Sequence, residues 1–354
     1  MSRNDRLLKA CRLESADCTP VWFMRQAGRY MKAYRDIREK HSLMEMFKTP
    51  ELAASITLQP VKAFPLDAAI IFADILLPLE GMGIELEFAP GPVIRNPVRS
   101  VADVHRLRIP DPEEALSYVL KSLEMVRKEL DGEVPLIGFA GAPFTLASYA
   151  IEGGASSNYL LAKEFMYREP GAWNLLMDKL SGTILAFLKA QVRSGAQIVQ
   201  LFDSWVGCLS PADYRDHVLG QTRKIFQGLK EEGIPSIHFG TGTAGLLQSM
   251  ADAGGDIIGA DWRIDIDAAW ASIETGAGIQ GNLDPVLLTA PWDVLRNRAG
   301  NILDRINGRA GHIFNLGHGI LPTAPEAAVK ALAEFVHEYS AGGWAPNQKP
   351  RSAG

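Results

Sequence analysis

Eight short apolar runs, each followed by a longer stretch, confine this chain to a fold of repeated strand–helix units. The runs lie at 21–24, 68–72, 135–139, 196–202, 235–239, 256–260, 278–281 and 312–316. Runs of this length, apolar on both faces, suit strands buried between two layers. Helical patterns lie between them, among them 50–63, 170–194, 211–232 and 325–339. Pro50, Pro170, Pro211 and Pro325 open these patterns, at the helix position that tolerates proline. Eight such units predict a single-domain α/β fold, the parallel (β/α)8 TIM barrel. An open doubly wound sheet has the same alternation, and counting strands does not exclude it. Ile84-Glu85-Leu86-Glu87-Phe88 alternates apolar and acidic residues. It predicts an exposed extra strand, with Pro90, Gly91 and Pro92 as the turn after it. No low-complexity linker divides the chain, so residues 1–340 read as one barrel domain. Residues 341–354 are rich in Gly, Pro and polar residues and predict a mobile tail. Hydrophobic residues make up 47% of the 354, enough for a core of that size.

The charge balance narrows the partners. A net charge of −5, with both signs mixed along the chain, argues against nucleic acid or an acidic membrane as the main partner. A small polyanion is still compatible, because a local arginine cluster outweighs the global sum. The cysteines are Cys11, Cys18 and Cys208, with no C-x-x-C pair. That suits a reducing compartment and provides neither a disulfide framework nor a cysteine-rich zinc site. The charged start leads into no long apolar stretch, which predicts a cytoplasmic protein with no membrane segment.

In a barrel the chemistry sits at the C-terminal ends of the strands. Arg25 follows the first candidate strand and Asp74 the second. Tyr149 lies further into the segment after the third. Ser204 follows the fourth, His238 ends the fifth, Asp261 follows the sixth and His318 the eighth. In Met24-Arg25-Gln26-Ala27-Gly28-Arg29-Tyr30, two arginines flank a glycine. A guanidinium presents a rigid fork of donors that matches a carboxylate or phosphate. Gly28 permits unusual backbone angles and close approach by a ligand. The pair reads as an anion clamp, or else as surface arginines paired with Asp36 and Glu39. Asp74 stands among Ile70, Ile71, Phe72, Ile75, Leu76 and Leu77, where a carboxylate needs donors or cations. Either neighbouring backbone N–H groups satisfy it, or it is left for a ligand's donors. His318 lies between Gly317 and Gly319, which permit a tight turn that holds an imidazole in a pocket or ties it to the backbone.

Three further patterns resemble known chemistry more loosely. Asp203-Ser204 with His318 or His238 suggests a catalytic triad, but the strained G-x-S-x-G elbow is absent. Gly240-Thr241-Gly242-Thr243-Ala244-Gly245 is literally G-x-G-x-x-G, with Asp261 downstream. It lies two-thirds along the chain, amid the repeating units, so it reads as a glycine turn and not as a nucleotide fingerprint. His238 with Cys208 suggests zinc. Methyltransferases of this overall fold place a cysteine two residues after such a histidine, where this chain has Gly240.

Arg25-Gln26-Ala27-Gly28-Arg29-Tyr30 resembles the N-terminal signature of the uroporphyrinogen decarboxylase family. Phe72-Ala73-Asp74-Ile75, Gly138-Phe139-Ala140-Gly141-Ala142-Pro143, Gln200-Leu201-Phe202-Asp203-Ser204 and Asn315-Leu316-Gly317-His318-Gly319 match that family in order. The resemblance spans about 7–339. It implies a cofactor-independent carboxy-lyase that converts uroporphyrinogen III to coproporphyrinogen III, typically a homodimer. It implies a tetrapyrrole as substrate, with no metal. It assigns substrate binding to Arg25, Arg29, Asp74, Tyr149, Ser204 and His318, with the backbone of Gln26, Ala27 and Gly28. Asp74 becomes the transition-state stabiliser, and Arg25 or a water held by His318 or Tyr149 the proton source. A methyltransferase, or a tetrapyrrole-binding protein without catalysis, is the rival expectation.

Overall fold

The computed structural model describes residues 3–89 and 91–341. Pro90 and the tail beyond Ala341 lie outside the described residues. The strands are β1 (Ala69–Ile70), β2 (Leu86–Phe88), β3 (Pro92–Ile94), β4 (Leu136–Gly141), β5 (Ile198–Asp203), β6 (Ser236–Gly240), β7 (Ile257–Gly259), β8 (Gly278–Leu283) and β9 (His312–Leu316). Seven of them form one parallel sheet in the order β1-β4-β5-β6-β7-β8-β9. Each strand pairs with the next in the chain, and the order never reverses. A doubly wound sheet must reverse at its switch point, so that alternative is set aside.

The first expected strand, 21–24, is reduced to a single bridge between Val21 and Phe314 of β9. Side chains have taken its ladder donors. The Val21 N–H goes to the Asp67 carboxylate (2.8 Å), the Phe23 N–H to Gln26 (3.1 Å) and the Met24 N–H to Asn315 (3.2 Å). The segment still lies between the two ends of the sheet. On one side the Phe314 N–H donates to the Pro20 carbonyl, and on the other the Asp67 N–H donates to the Val21 carbonyl. The second strand is shorter than expected for a similar reason, since the Phe72 N–H bonds the Thr57 hydroxyl (2.9 Å).

The parallel strands are buried on both faces, and the polar residues that interrupt them, such as Gln280 and Asn315, are buried with them. Helices cover the outside. The expected helix over 211–232 is two, Pro211–His217 and Leu219–Lys230. They part at Val218, where the His217 carbonyl accepts the Trp173 indole N–H (3.0 Å). Ser210 caps the first of them by accepting from the Asp213 N–H. The extra strand is present as β2, paired antiparallel with β3. Leu86 points inward and Glu87 outward, as the alternation predicts. This hairpin docks on the end of the helix Pro143–Glu152, where the Ile94 N–H bonds the Gly153 carbonyl (2.9 Å). It thereby steadies the helix that carries Tyr149.

Candidate active site

At the end of the bridging segment, Arg25 adopts the left-handed region with φ of 59°. A side chain there costs about 1 kcal/mol or more. The sequence pointed to Gly28 for this role, but Gly28 has no positive φ. Gln26 is what holds the turn. Fully buried, it accepts the Phe23 N–H, donates to the Ala68 carbonyl (2.9 Å) and receives the Tyr30 hydroxyl on its own carbonyl (2.7 Å). Its N–H bonds the Phe23 carbonyl. Gln26 therefore has no backbone group free for a ligand. The N–H groups of Ala27 and Gly28 have no acceptor among the described residues. Arg25 and Arg29 are exposed and pair with no carboxylate among those residues. Asp36 is taken by Lys32 (2.6 Å), so the surface-pair alternative fails for it.

Asp74 follows β1 and is half-buried. Its Oδ1 accepts the Leu76 N–H (2.9 Å). Its Oδ2 has no hydrogen-bond partner among the described residues. The backbone alternative holds for Oδ1, and Oδ2 is left open. Burial pushes its carboxyl up, while the Leu76 N–H and the Arg25 charge pull it back. Tyr149 lies close enough to feel this charge. Burial, and then Asp74, push its phenol above the ordinary value.

The Tyr149 ring packs on Trp205 (5.7 Å between centroids), which also meets Tyr159 (5.6 Å). Trp205 was not anticipated. An aromatic residue directly after Asp203-Ser204, at a strand's C-terminal end, was the available signal. The Trp205 N–H bonds the Thr145 hydroxyl, which donates to buried Asp203 (3.0 Å). Asp203 braces the wall and is not part of a triad. Ser204 lends its carbonyl to Thr241 (2.5 Å), and its hydroxyl has no partner among the described residues.

Gly317 and Gly319 do not take positive φ, so their role is close approach and not a left-handed turn. A Cβ at Gly317 would sit 2.5 Å from the Trp262 backbone nitrogen. One at Gly319 would sit 2.6 Å from Cγ of Arg25. The turn is thus clasped between Arg25 and the loop carrying Trp262. The His318 Nδ1 accepts the Gly319 N–H (2.7 Å). Burial, then the charges of Arg25 and Arg263, push this imidazole down to about 4. It is neutral at pH 7. Because Nδ1 accepts, Nε2 carries the proton and is a donor.

The other patterns resolve as packing. His238 is fully buried against Phe226 (4.9 Å) and the Met250 carbonyl (3.2 Å), on the helix side of the sheet. A side chain at Gly240 would meet Thr243 at 2.7 Å. Gly242 of the G-x-G-x-x-G turn lies against Gly207 of a neighbouring loop. A Cβ at Gly207 would strike Gly242 at 2.8 Å. Asp261 accepts the Gly242 N–H (2.6 Å) and pairs with Arg263, so it is not held open for a ribose. Arg25, Asp74, Tyr149 and His318 are thus brought together, with Ser204 beside Trp205. Arg29 lies toward Tyr34, whose ring packs on Phe72 near Asp74.

Residues 2–339 match the uroporphyrinogen decarboxylase (URO-D) family. The chain is 57% identical over 336 residues to the uroporphyrinogen decarboxylase of Sorangium cellulosum, covering 94% of this chain and 96% of that protein. To the same-named protein of a Roseiflexus species it is 55% identical over 345 residues, covering 96% and 99%. Among solved structures, a methyltransferase from Methanosarcina mazei superposes with a TM-score of 0.81 over 96% of this chain and 99% of that one. At 21% identity, that is a likeness of fold alone.

Proposed function

The chain belongs to the uroporphyrinogen decarboxylase family, and from that premise we propose how its residues divide the reaction. It is a carboxy-lyase of porphyrin biosynthesis. It removes carbon dioxide from the four acetate side chains of uroporphyrinogen III, giving coproporphyrinogen III. Breaking the bond to CO2 leaves an electron pair on the former acetate methylene. Most decarboxylases lend that pair to a cofactor. A pyrrole protonated at the adjacent ring carbon accepts it instead; a second proton then completes the methyl group, and the ring carbon releases the first to restore the pyrrole. On this reading the enzyme needs no cofactor or metal. It needs donors for carboxylates and a negative charge beside the ring nitrogens.

Asp74 carries the proposal. One oxygen is fixed by Leu76, and the other is open in a half-buried site facing Arg25 and Tyr149. Pyrrole N–H groups donate to Oδ2, and the carboxylate stabilises the cation formed by ring protonation. Arg25, Arg29 and the N–H groups of Ala27 and Gly28 hold substrate carboxylates. Tyr149, Ser204 and the His318 Nε2–H supply further donors. A neutral His318 is not itself the acid, so the ring proton comes from Arg25 or from water held by His318 or Tyr149. Residues 20–24 complete the seven-stranded sheet as the eighth stave of a barrel, and the protein works as a cytoplasmic homodimer.

The test is single-turnover decarboxylation, substrate binding and thermal melting of Asp74→Asn and Asp74→Glu. Asn keeps the shape and the Leu76 contact but loses the charge. Its rate should fall about 10²–10³-fold with binding less affected. Glu should lie between Asn and the parent. A folded Asp74→Asn protein with a near-parental rate overturns the assignment.

A further inference from the structure

Each ring of uroporphyrinogen carries an acetate and a propionate, so its carboxylates outnumber Arg25 and Arg29. We propose that Arg263 is a third carboxylate-binding cation of this site, placed across His318 from Arg25. The inference rests on the decarboxylase reading above and adds a residue that it did not include.

The loop that carries Arg263 is fixed along its length. The Asn282 amide donates to the Asp261 carbonyl (2.9 Å) and the Ile264 carbonyl (2.6 Å). Trp262 presses on Gly317, as described, so the loop and the histidine turn are in direct contact. The Arg263 side chain is fixed as well. Its guanidinium lies over the Trp262 ring at 4.1 Å, and its Nη1 bonds the Asp261 carboxylate. Asp261 is buried and also accepts the N–H groups of Gly242 (2.6 Å) and Arg263 itself (3.0 Å). Two backbone donors therefore already meet this carboxylate. The guanidinium is more than Asp261 requires for satisfaction, and only one of its nitrogens is engaged. Its Nη2 and Nε have no partner among the described residues, and the side chain is 51% exposed. An exposed arginine is ordinarily free to move. This one is oriented from two directions, with the remaining edge of its fork open.

The position relative to His318 gives that edge a task. The aliphatic arm of Arg25 lies against Gly319 on one side, and Asp261-Trp262, the residues just before Arg263, lie against Gly317 on the other. Both charges reach the imidazole and help keep it neutral. The neutral ring keeps Nε2–H as a donor, within reach of the charges of both guanidinium groups. A carboxylate entering there meets the Arg263 fork and the His318 donor together. Asp261 acts through Arg263 as its positioning residue.

The experiment compares Arg263→Gln and Arg263→Lys with the parent in steady-state decarboxylation of uroporphyrinogen, thermal melting and NMR titration of His318. For Arg263→Gln we expect KM to rise about tenfold, kcat to stay within about twofold, the melting temperature to hold and His318 to titrate at higher pH. Arg263→Lys should return the His318 titration toward the parent while recovering only part of KM, since it keeps charge but not the fork. An unchanged KM in Arg263→Gln overturns the proposal and leaves a surface ion pair. Equal loss of kcat and melting temperature in both variants, with KM constant, also overturns it and makes the residue a structural tie. A parent protein inactive on uroporphyrinogen would refute the decarboxylase reading itself, a separate outcome.

Discussion

Arg25 is strained, exposed and unpaired among the described residues, and it stands beside the two titratable groups that matter most. Its charge lowers the carboxyl of Asp74 and the imidazole of His318. The effect on Asp74 opposes burial, which is the larger influence and raises that carboxyl above its ordinary 3.8. The proposed role needs the anion, so activity should fall on acidification at a pH above the usual aspartate range. Removing the nearby cation makes the anion harder to form. Arg25→Gln should therefore move the acid limb of the single-turnover profile to higher pH. Arg25→Lys retains the charge, so the limb should stay in place. It loses the two-pronged geometry, and kcat/KM should fall at least about tenfold, or about 1.4 kcal/mol. Arg38→Lys is the control. Arg38 donates only to the His41 carbonyl nearby, and its exchange should leave both the limb and the rate as in the parent. An Arg25→Gln limb that does not move would detach Arg25 from Asp74.

The loops at the C-terminal edge touch at glycines, and each contact answers to a different neighbour. A Cβ at Gly319 would collide with the flexible arm of Arg25, whereas one at Gly207 would strike backbone at Thr241 and Gly242. A side chain can give way, but a packed backbone cannot do so without cost. Gly319→Ala should keep its melting temperature within about 2 °C and lose kcat/KM by displacing Arg25. Gly207→Ala should melt at least about 4 °C lower, roughly 3 kcal/mol for a chain of this length. Calorimetry with steady-state rates on both proteins separates the cases, and the reverse pattern would mean that Arg25 is not held through Gly319. These contacts join residues far apart in sequence, which is why the Gly-His-Gly motif was legible as special but not for its reason. The strands of β4, β5, β6, β8 and β9 were legible because a buried parallel strand is largely apolar, even where Gln200, His238, Gln280 or Asn315 interrupts the run. Segment 21–24 looked the same in sequence. Its ladder was lost to side chains of Asp67, Gln26 and Asn315, two of them remote in the chain. Asp74, Tyr149 and His318 were legible as candidates because the C-terminal ends of strands are where a barrel's chemistry is expected. Trp205 and Arg263 did not stand out, since the packing of an aromatic or an arginine on a loop shows only when its neighbours are known.

Across the whole molecule, two histidines tie stability to pH. His312, at the start of β9, is buried, with Nε2 near the Gly281 carbonyl at 3.2 Å. Its Nδ1 is buried with no partner among the described residues. A proton placed there would have no acceptor, and burial pushes this imidazole down to about 4. His318, pushed down to about 4 chiefly by burial, shifts the same way. In the unfolded chain both take protons near 6.5. Between about 6.5 and 4 the unfolded state therefore binds more protons than the folded one, and stability rises with pH across that window. Read downward, the stabilisation is complete above about 6.5 and is lost as the pH falls toward 4. A histidine buried as deeply as His312 contributes on the order of 3 kcal/mol over this span, at about 1.4 kcal/mol per pH unit where the difference is a full proton. His312→Gln keeps a donor for the Gly281 carbonyl but does not titrate. At pH 7.5 it should be somewhat less stable than the parent, because the amide fills the space differently. As the pH is lowered to 4.5 the gap should close, since only the parent loses the His312 contribution. Urea unfolding of the two proteins at pH 7.5, 6.5, 5.5 and 4.5 measures this directly. Parallel curves with a constant offset would show that His312 does not couple folding to pH.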